Sequence, residues 1–358
     1  MTTAFHLKRN FECTNWFVPY LNWSIYQADH VLAIELASVA SFFFVAVVAL
    51  QTKRLGSLVG ILGFCILLEF GAFRTRALAH APYRIQLGCF LPLKDVLWNA
   101  TNIFVALVAG EQAGLESRWQ AAALIGTLAT MQSIPFEMVR ILGRIEDVYV
   151  NENRFPYANL KDKINGAYVF FLMIMFCSAA AVGLLSIRGG SKPSHGRDIK
   201  SVIIIPLLGP LIACCGFVPF YLVKYVGCRH FVNSEPTFEL FHFRCAKYSY
   251  IEDVPVFVFL SSVVLCGVLV GLARRSDVAQ LPLSVLSKVL LMATRALLNG
   301  VVLYALVEGS TLTTIALHSQ VPFYLAVMCL DCGMIYLCLF VRPDQSNPSR
   351  DTIKHKVE

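Results

Sequence analysis

Nine separate stretches of this chain run for about twenty mostly apolar residues, the length an α-helix needs to cross the hydrocarbon of a bilayer. They fall near 31–50, 55–73, 90–110, 119–137, 164–187, 201–223, 254–273, 286–307 and 321–341. One water-soluble core could not bury them all. Composition points the same way. Of 358 residues, 57% are hydrophobic and 15% charged, against roughly 45–50% and about 25% in soluble domains. The sequence therefore predicts an all-α fold, a polytopic transmembrane helix bundle of about nine spans lying in a lipid bilayer. The third stretch is the weakest, because Lys94 and Asp95 leave only 96–110 free of charge.

The net charge of +7 does not come with a basic helix, zinc spacing or aromatic RNA-binding signature, so nucleic acid is not an expected partner. The excess reads instead as orientation charge, since short cytoplasmic loops are enriched in Lys and Arg. Lys53 and Arg54 join the first two stretches, Arg188, Lys192, Arg197 and Lys200 the fifth and sixth, and Arg274 and Arg275 the seventh and eighth. Arg350, Lys354 and Lys356 lie in the tail. With nine crossings all of these share one face. The expectation is an extracytoplasmic segment 1–30, a single multi-pass domain 31–341 and a cytoplasmic tail 342–358, with the amino terminus outside. The first 30 residues are too polar for the apolar region of a signal peptide.

Twelve cysteines divide on this topology. Cys65, Cys177, Cys214, Cys215, Cys266, Cys329, Cys332 and Cys338 fall inside apolar stretches, where a thiol acts as a small hydrophobe. Cys13, Cys89, Cys228 and Cys245 all fall on the outer face. They are disulfide candidates, with three pairings open. Asn22-Trp-Ser24 and Asn99-Ala-Thr101 match the glycosylation acceptor pattern but sit close to the lipid.

The chain also carries an internal echo. Glu69 precedes Leu93-Lys94-Asp95 by 24 positions, and Glu137 precedes Leu160-Lys161-Asp162 by 23. Arg74 and Arg140 follow the two glutamates. Each unit is an apolar span ending in a carboxylate, a polar outer loop, then Leu-Lys-Asp opening the next span. This pattern predicts a helix-pair repeat around a shared outer surface. Residues 219–253 form a longer third version ending Ile251-Glu252-Asp253.

The run Arg144-Ile-Glu-Asp-Val-Tyr-Val-Asn-Glu-Asn-Arg154-Phe-Pro156-Tyr resembles a loop of a eukaryotic, nematode-type multi-pass membrane family of unknown function. In that loop an acidic stretch and an Arg precede an aromatic-Pro-aromatic turn. The alternation of spans with Pro/aromatic entry loops is more distantly similar to carotenoid-hydratase-like membrane proteins. The resemblance covers about 69–259 and implies a fold rather than an activity.

A charge at membrane depth is costly and calls for a partner or a purpose. Asp95, Asp162 and Asp253 open helices, where a carboxylate offsets the positive end of the dipole. Glu69 and Glu137 close helices, where the dipole opposes them. They must pair with Arg74 and Arg140, bind a cation, or stay protonated. Glu69, Arg74, Asp95, Glu137, Arg140 and Asp162 are thus the candidate ligand-binding residues of an outer acidic cavity. Arg295 and Asp331 lie deeper, twelve and ten residues from the outer ends of their stretches. At 1.5 Å per residue both sit roughly 15–18 Å down, so antiparallel neighbours could join them as a buried ion pair. Gly209, Pro210 and Pro219 predict a kinked sixth span.

Three functions compete. An outward-facing polar cavity could bind or transport a small polar or amphiphilic molecule, and this reading is favoured. A lipid-modifying enzyme of hydrolase or hydratase type would use outer-face His and carboxylates on a metal or water. No His-x-x-x-His pair or Gly-x-Ser-x-Gly elbow is present, and no metal ligands, catalytic residues or cofactor can be assigned. A chemosensory receptor would share the orientation, but nine spans exceed seven, and Ala109-Gly110-Glu111 stands where an acidic-Arg-Tyr signature would close the third span.

Overall fold

The computed structural model describes residues 19–21, 29–74, 85–87, 91–115, 117–142, 160–187, 195–231, 236–239, 242–245, 261–263, 265–267, 269, 283–312 and 321–341. Within the apolar stretches the described residues are helical, apart from 91–92, which form a strand, and the end positions 187 and 341. The long helices are α1 (Asp29–Gln51), α2 (Leu55–Arg74), α3 (Leu93–Gln112), α4 (Arg118–Leu142), α5 (Leu160–Ser186), α6 (His195–Phe231), α7 (Val285–Leu312) and α8 (Val321–Phe340). Between α6 and α7, residues 261–263, 265–267 and 269 are helical too. Three helices are long and apolar enough to cross a membrane, over Leu32–Gln51, Ile199–Phe220 and Val285–Glu308. Leu55–Glu69, Leu172–Ser186 and Tyr324–Phe340 are shorter apolar helical stretches.

Two small antiparallel sheets in the connections depart from the purely helical expectation. Strand β1 (Pro19–Leu21) pairs with β2 (Ile85–Leu87), which pairs with β3 (Leu91–Pro92) just before α3. Strands β4 (Pro236–Glu239) and β5 (His242–Cys245) form a hairpin in the register Glu239↔His242. Strands this short leave no alternating pattern long enough to read in a sequence.

The helix turns are locally encoded. Lys53 is the one non-glycine with positive φ among the described residues, at 58°. Its N–H bonds the Leu50 carbonyl, while the Arg54 N–H reaches back to Ala49 at 2.7 Å. These are the two bonds of a Schellman motif, with Lys in the place glycine usually holds. Gly114, with φ 66°, turns the chain after α3. At the start of α7, Ser284 Oγ accepts the Ser287 N–H at 3.0 Å, an N-cap.

Helix α3, the weakest candidate by composition, is the centre of the molecule. It packs against α1, α2, α4, α5 and α8, and 17 of its 20 residues are buried. A helix wrapped by other helices does not meet lipid, so its polar residues are answered by neighbours rather than by hydrocarbon. Helix α6 is the opposite case. Only 17% of its apolar window is buried, against 44% for α1 and α7. Ile203, Leu207, Leu211, Val218 and Leu222 stand exposed along it. Pro206, Pro210 and Pro219 lie inside this helix, as the kink expectation requires of the sequence.

Small residues set the helix spacing. A Cβ on Gly60 of α2 would lie 2.4 Å from the Ser201 carbonyl oxygen of α6, and one on Gly209 would meet the Phe64 ring at 2.9 Å. Backbones approach this closely where glycine leaves room, the usual packing mode of helices in lipid.

One end of the bundle is tied together by side chains. Arg54 Nη1 bonds Glu111 Oε1 at 2.7 Å, joining the α1–α2 turn to the end of α3. Gln51 Oε1 accepts from Ser287 Oγ at 2.7 Å, joining α1 to the start of α7. Lys288 Nζ stands 5.3 Å from the Phe340 ring centroid at the end of α8. Arg118 donates to the Leu184 carbonyl, joining α4 to α5. The ends of α1, α3, α5 and α8 therefore meet the starts of α2, α4 and α7.

Candidate functional site

Two apolar clusters form the core, and a polar layer separates them. The larger takes in Val45 and Val48 of α1, Leu291 of α7 and Ile335 and Leu339 of α8. The smaller takes in Ile34 of α1, Phe136 of α4, Leu298 and Val302 of α7 and Tyr324 of α8. Between these levels each helix turns a polar residue inward: Ser38 and Ser41, Gln132 and Ser133, Thr294 and Arg295, and Asp331 are all buried. Thr101 and Asn102 of α3, both fully buried, join them.

Arg295 anchors the layer. Its Nη2 and Nε bond Asp331 Oδ2 at 2.7 and 3.0 Å, and neither side chain is more than 1% exposed. Arg295 Nη1 donates to Asn102 Oδ1 at 2.7 Å, and Nη2 also to the Gln132 carbonyl oxygen at 3.3 Å. Asn299, one turn along α7, donates to the same Asp331 oxygen at 3.0 Å and to Cys332 Sγ at 3.4 Å. Asn102 Nδ2 reaches Ser133 Oγ at 3.4 Å, and that hydroxyl donates to the Ala129 carbonyl. One guanidinium thus holds α7 to α3, α4 and α8.

The Gln132 oxygen lies in the last turns of α4, close to a proline. Pro135 lies three residues on, inside α4. It lacks the N–H that would bond the Met131 carbonyl. The Gln132 carbonyl, whose helical donor would be the Phe136 N–H, has a second lone pair, and it is this that the Arg295 guanidinium takes up.

The layer is not saturated. Both amide atoms of Gln132, Asp331 Oδ1, Thr101 Oγ1 and Ser41 Oγ are buried and accept or donate no hydrogen bond among the described residues. Gln132 itself is 1% exposed. Buried polar groups are nearly always bonded, and each exception asks for an explanation.

At the other end of α3 lie the candidate residues of the outer cavity. Glu69 of α2 accepts from Asn99 Nδ2 of α3 at 3.1 Å. Asp95 pairs with its neighbour Lys94 at 3.0 Å, and both are buried. Lys94 Nζ also stands 4.9 Å from the Phe136 centroid, on which Trp98 packs at 4.4 Å. Glu35 of α1 is buried as well. Arg74, Glu137, Arg140 and Asp162 lie on α2, α4 and α5, but their side chains are outside the described residues. The Asn99 amide is engaged with Glu69 and Thr101 is fully buried, which gives this acceptor pattern a packing role.

The eight cysteines of the apolar stretches are all free thiols. Cys65, Cys177 and Cys338 are buried, whereas Cys214, Cys215, Cys266 and Cys329 face outward. Of the disulfide candidates, Cys13 and Cys89 lie outside the described residues. Cys228 and Cys245 belong to α6 and β5, with side chains outside the description. Among the described residues no group of three or more His, Cys, Asp or Glu could hold a metal ion.

Sequence reasoning missed Asn102, Gln132, Ser133 and Asn299. Uncharged polar residues are common in apolar helices, so they carry little signal one by one. The usable clue is spacing: Arg295 and Asn299 are four residues apart and share a helix face.

Compared with known proteins, the chain matches no family model. It also finds no match among curated proteins or solved structures.

Proposed function

We propose that this is a nine-span membrane protein, amino terminus outside and carboxyl terminus in the cytoplasm, that binds or moves a small polar or amphiphilic ligand. The ligand enters past the acidic outer end, where Glu69, Arg74, Asp95, Glu137, Arg140 and Asp162 belong, and meets the polar layer beneath it. The observation that carries this reading is Arg295, fully buried and bonded to three other helices at mid-depth. A charge held that deep in a bilayer protein needs a partner or a purpose, and although such a pair more often fixes helix packing, residues of this kind also line ligand and ion pathways.

The orientation draws support from the tied end of the bundle, which carries Lys53, Arg54, Arg118 and Lys288. The repeat draws support from helix boundaries. Both Leu-Lys-Asp tripeptides open a helix, α3 and α5. Glu69 and Glu137 each stand five residues before the end of the preceding one.

Two experiments test the proposal. Glycosylation acceptors inserted between α4 and α5 are expected to be modified, and a cytoplasmic location there would assign the acidic end to the wrong face. Cells carrying Glu69→Gln or Asp331→Asn at normal expression are expected to show altered lipid and metabolite profiles. Unchanged profiles would reduce the polar layer to scaffold.

A further inference from the structure

The polar layer has a specific pattern of met and unmet valences. Among the described residues Asp331 Oδ2 accepts three hydrogen bonds, two from Arg295 and one from Asn299, while Oδ1 of the same carboxylate accepts none. The Gln132 backbone carbonyl accepts from Arg295, yet its side-chain oxygen and nitrogen are both buried with no bond among the described residues. A single nitrogen, Arg295 Nη2, touches both residues. The unmet groups therefore sit on two residues bridged by one atom.

Charge decides what can satisfy them. The guanidinium and the carboxylate already balance each other, so a charged guest would add an uncompensated charge to a water-poor interior. The guest must be neutral. It must also donate to Asp331 Oδ1 while meeting an amide that both donates and accepts. A hydroxyl group donates to Asp331 Oδ1 and accepts from Gln132 Nε2, and a water has a second proton for Gln132 Oε1. We infer that Gln132 and Asp331 form a mid-membrane site for a neutral hydroxyl group, supplied either by water or by the head of an uncharged amphiphile. This deepens the ligand-binding reading above and rests on it for the second source only. A bound water needs two to four polar partners, and these two residues provide three unmet groups.

Cys332 follows Asp331 and accepts from Asn299, which makes it a built-in reporter. Cys329, one turn away on α8, and Cys214 on α6 face outward and serve as lipid-covered controls. The full chain in lipid nanodiscs, without added ligand, is exposed to pulsed X-ray radiolysis, which oxidises side chains beside bound water. The expected result is labelling of Cys332 well above Cys329 and Cys214. In Gln132→Met, which keeps the bulk but removes the amide, labelling of Cys332 is expected to drop to the level of the controls. Adding octan-1-ol separates the sources. Protection of Cys332 assigns the hydroxyl to an amphiphile, and unchanged labelling assigns it to water.

Three results would overturn the inference. These are Cys332 as inert as Cys329 in the wild-type protein, full labelling retained in a folded Gln132→Met, or protection by octanoate or octylammonium equal to that by the alcohol. The first needs no variant, so it decides the matter even if Gln132→Met fails to fold. A dry site would leave ligand handling untouched, because that is read from the Glu69→Gln profile. An unchanged profile beside a wet site would sink ligand handling alone.

Discussion

Replacing Arg295 by Met tests whether the buried pair holds the bundle together. The substitution keeps an unbranched apolar stem and deletes the guanidinium. Asp331 Oδ2 then loses two of its three donors and keeps only Asn299. Asn102 Oδ1 and the Gln132 carbonyl lose their partner as well. Interhelical hydrogen bonds within membranes are worth about 0.6 kcal/mol each, so these two neutral losses come to about 1 kcal/mol. The stranded carboxylate weighs more: removing one partner of a buried pair costs about 3–5 kcal/mol. The expected total for Arg295→Met is therefore about 4–6 kcal/mol.

The double variant Arg295→Met/Asp331→Leu removes the stranded charge and leaves only neutral losses. It should be more stable than Arg295→Met alone by at least about 2 kcal/mol, a coupling that independent sites would not show. Reversible unfolding in mixed micelles at graded SDS fraction, run on the wild type, both singles and the double, measures the cycle. A double variant whose cost equals the sum of the singles would refute the reasoning. So would Arg295→Met costing under about 1 kcal/mol, because the charge would then be reaching water.

Three further outcomes are expected. Gly60→Ala should destabilise by about 1–3 kcal/mol, because its Cβ would press on the Ser201 carbonyl. Gly333→Ala, with nothing within 4 Å, should be neutral in the same unfolding assay. Ser284→Ala should cost about 1 kcal/mol by removing the α7 cap, and Ser284→Asp should retain stability, both read as shifts in Tm. Arg54→Gln should cost about 1–3 kcal/mol through the lost charged hydrogen bond to Glu111, and a silent variant would show that the α1–α2 turn is held by its backbone bonds alone.

Apolar length was the ruler that located the helices, three of which are long and apolar enough to cross a membrane. Depth arithmetic also placed Arg295 and Asp331 at a common level, and the structure sets them 2.7 Å apart. Neighbour choice could not be read. Nothing in the sequence of α1 names α7 as a partner, nor in that of α2 does anything name α6, because hydropathy gives positions along the membrane normal and none within its plane. The same ruler undervalued α3, since it assumes that every span meets lipid. Gln132 was invisible for a further reason: its backbone carbonyl matters only because Arg295 of α7 lies opposite. At the acidic end, the contact between Glu69 and Asn99 joins two adjacent elements, yet no spacing rule singles out an amide as the partner of that carboxylate.

The central position of α3 has a mechanical consequence. A rod packed against five helices and bonded to α7 as well cannot shift without all of them giving way, so it is the axle of the described bundle. The rim is the contrasting place: α6 carries three prolines within one continuous helix and leaves most of its apolar window uncovered.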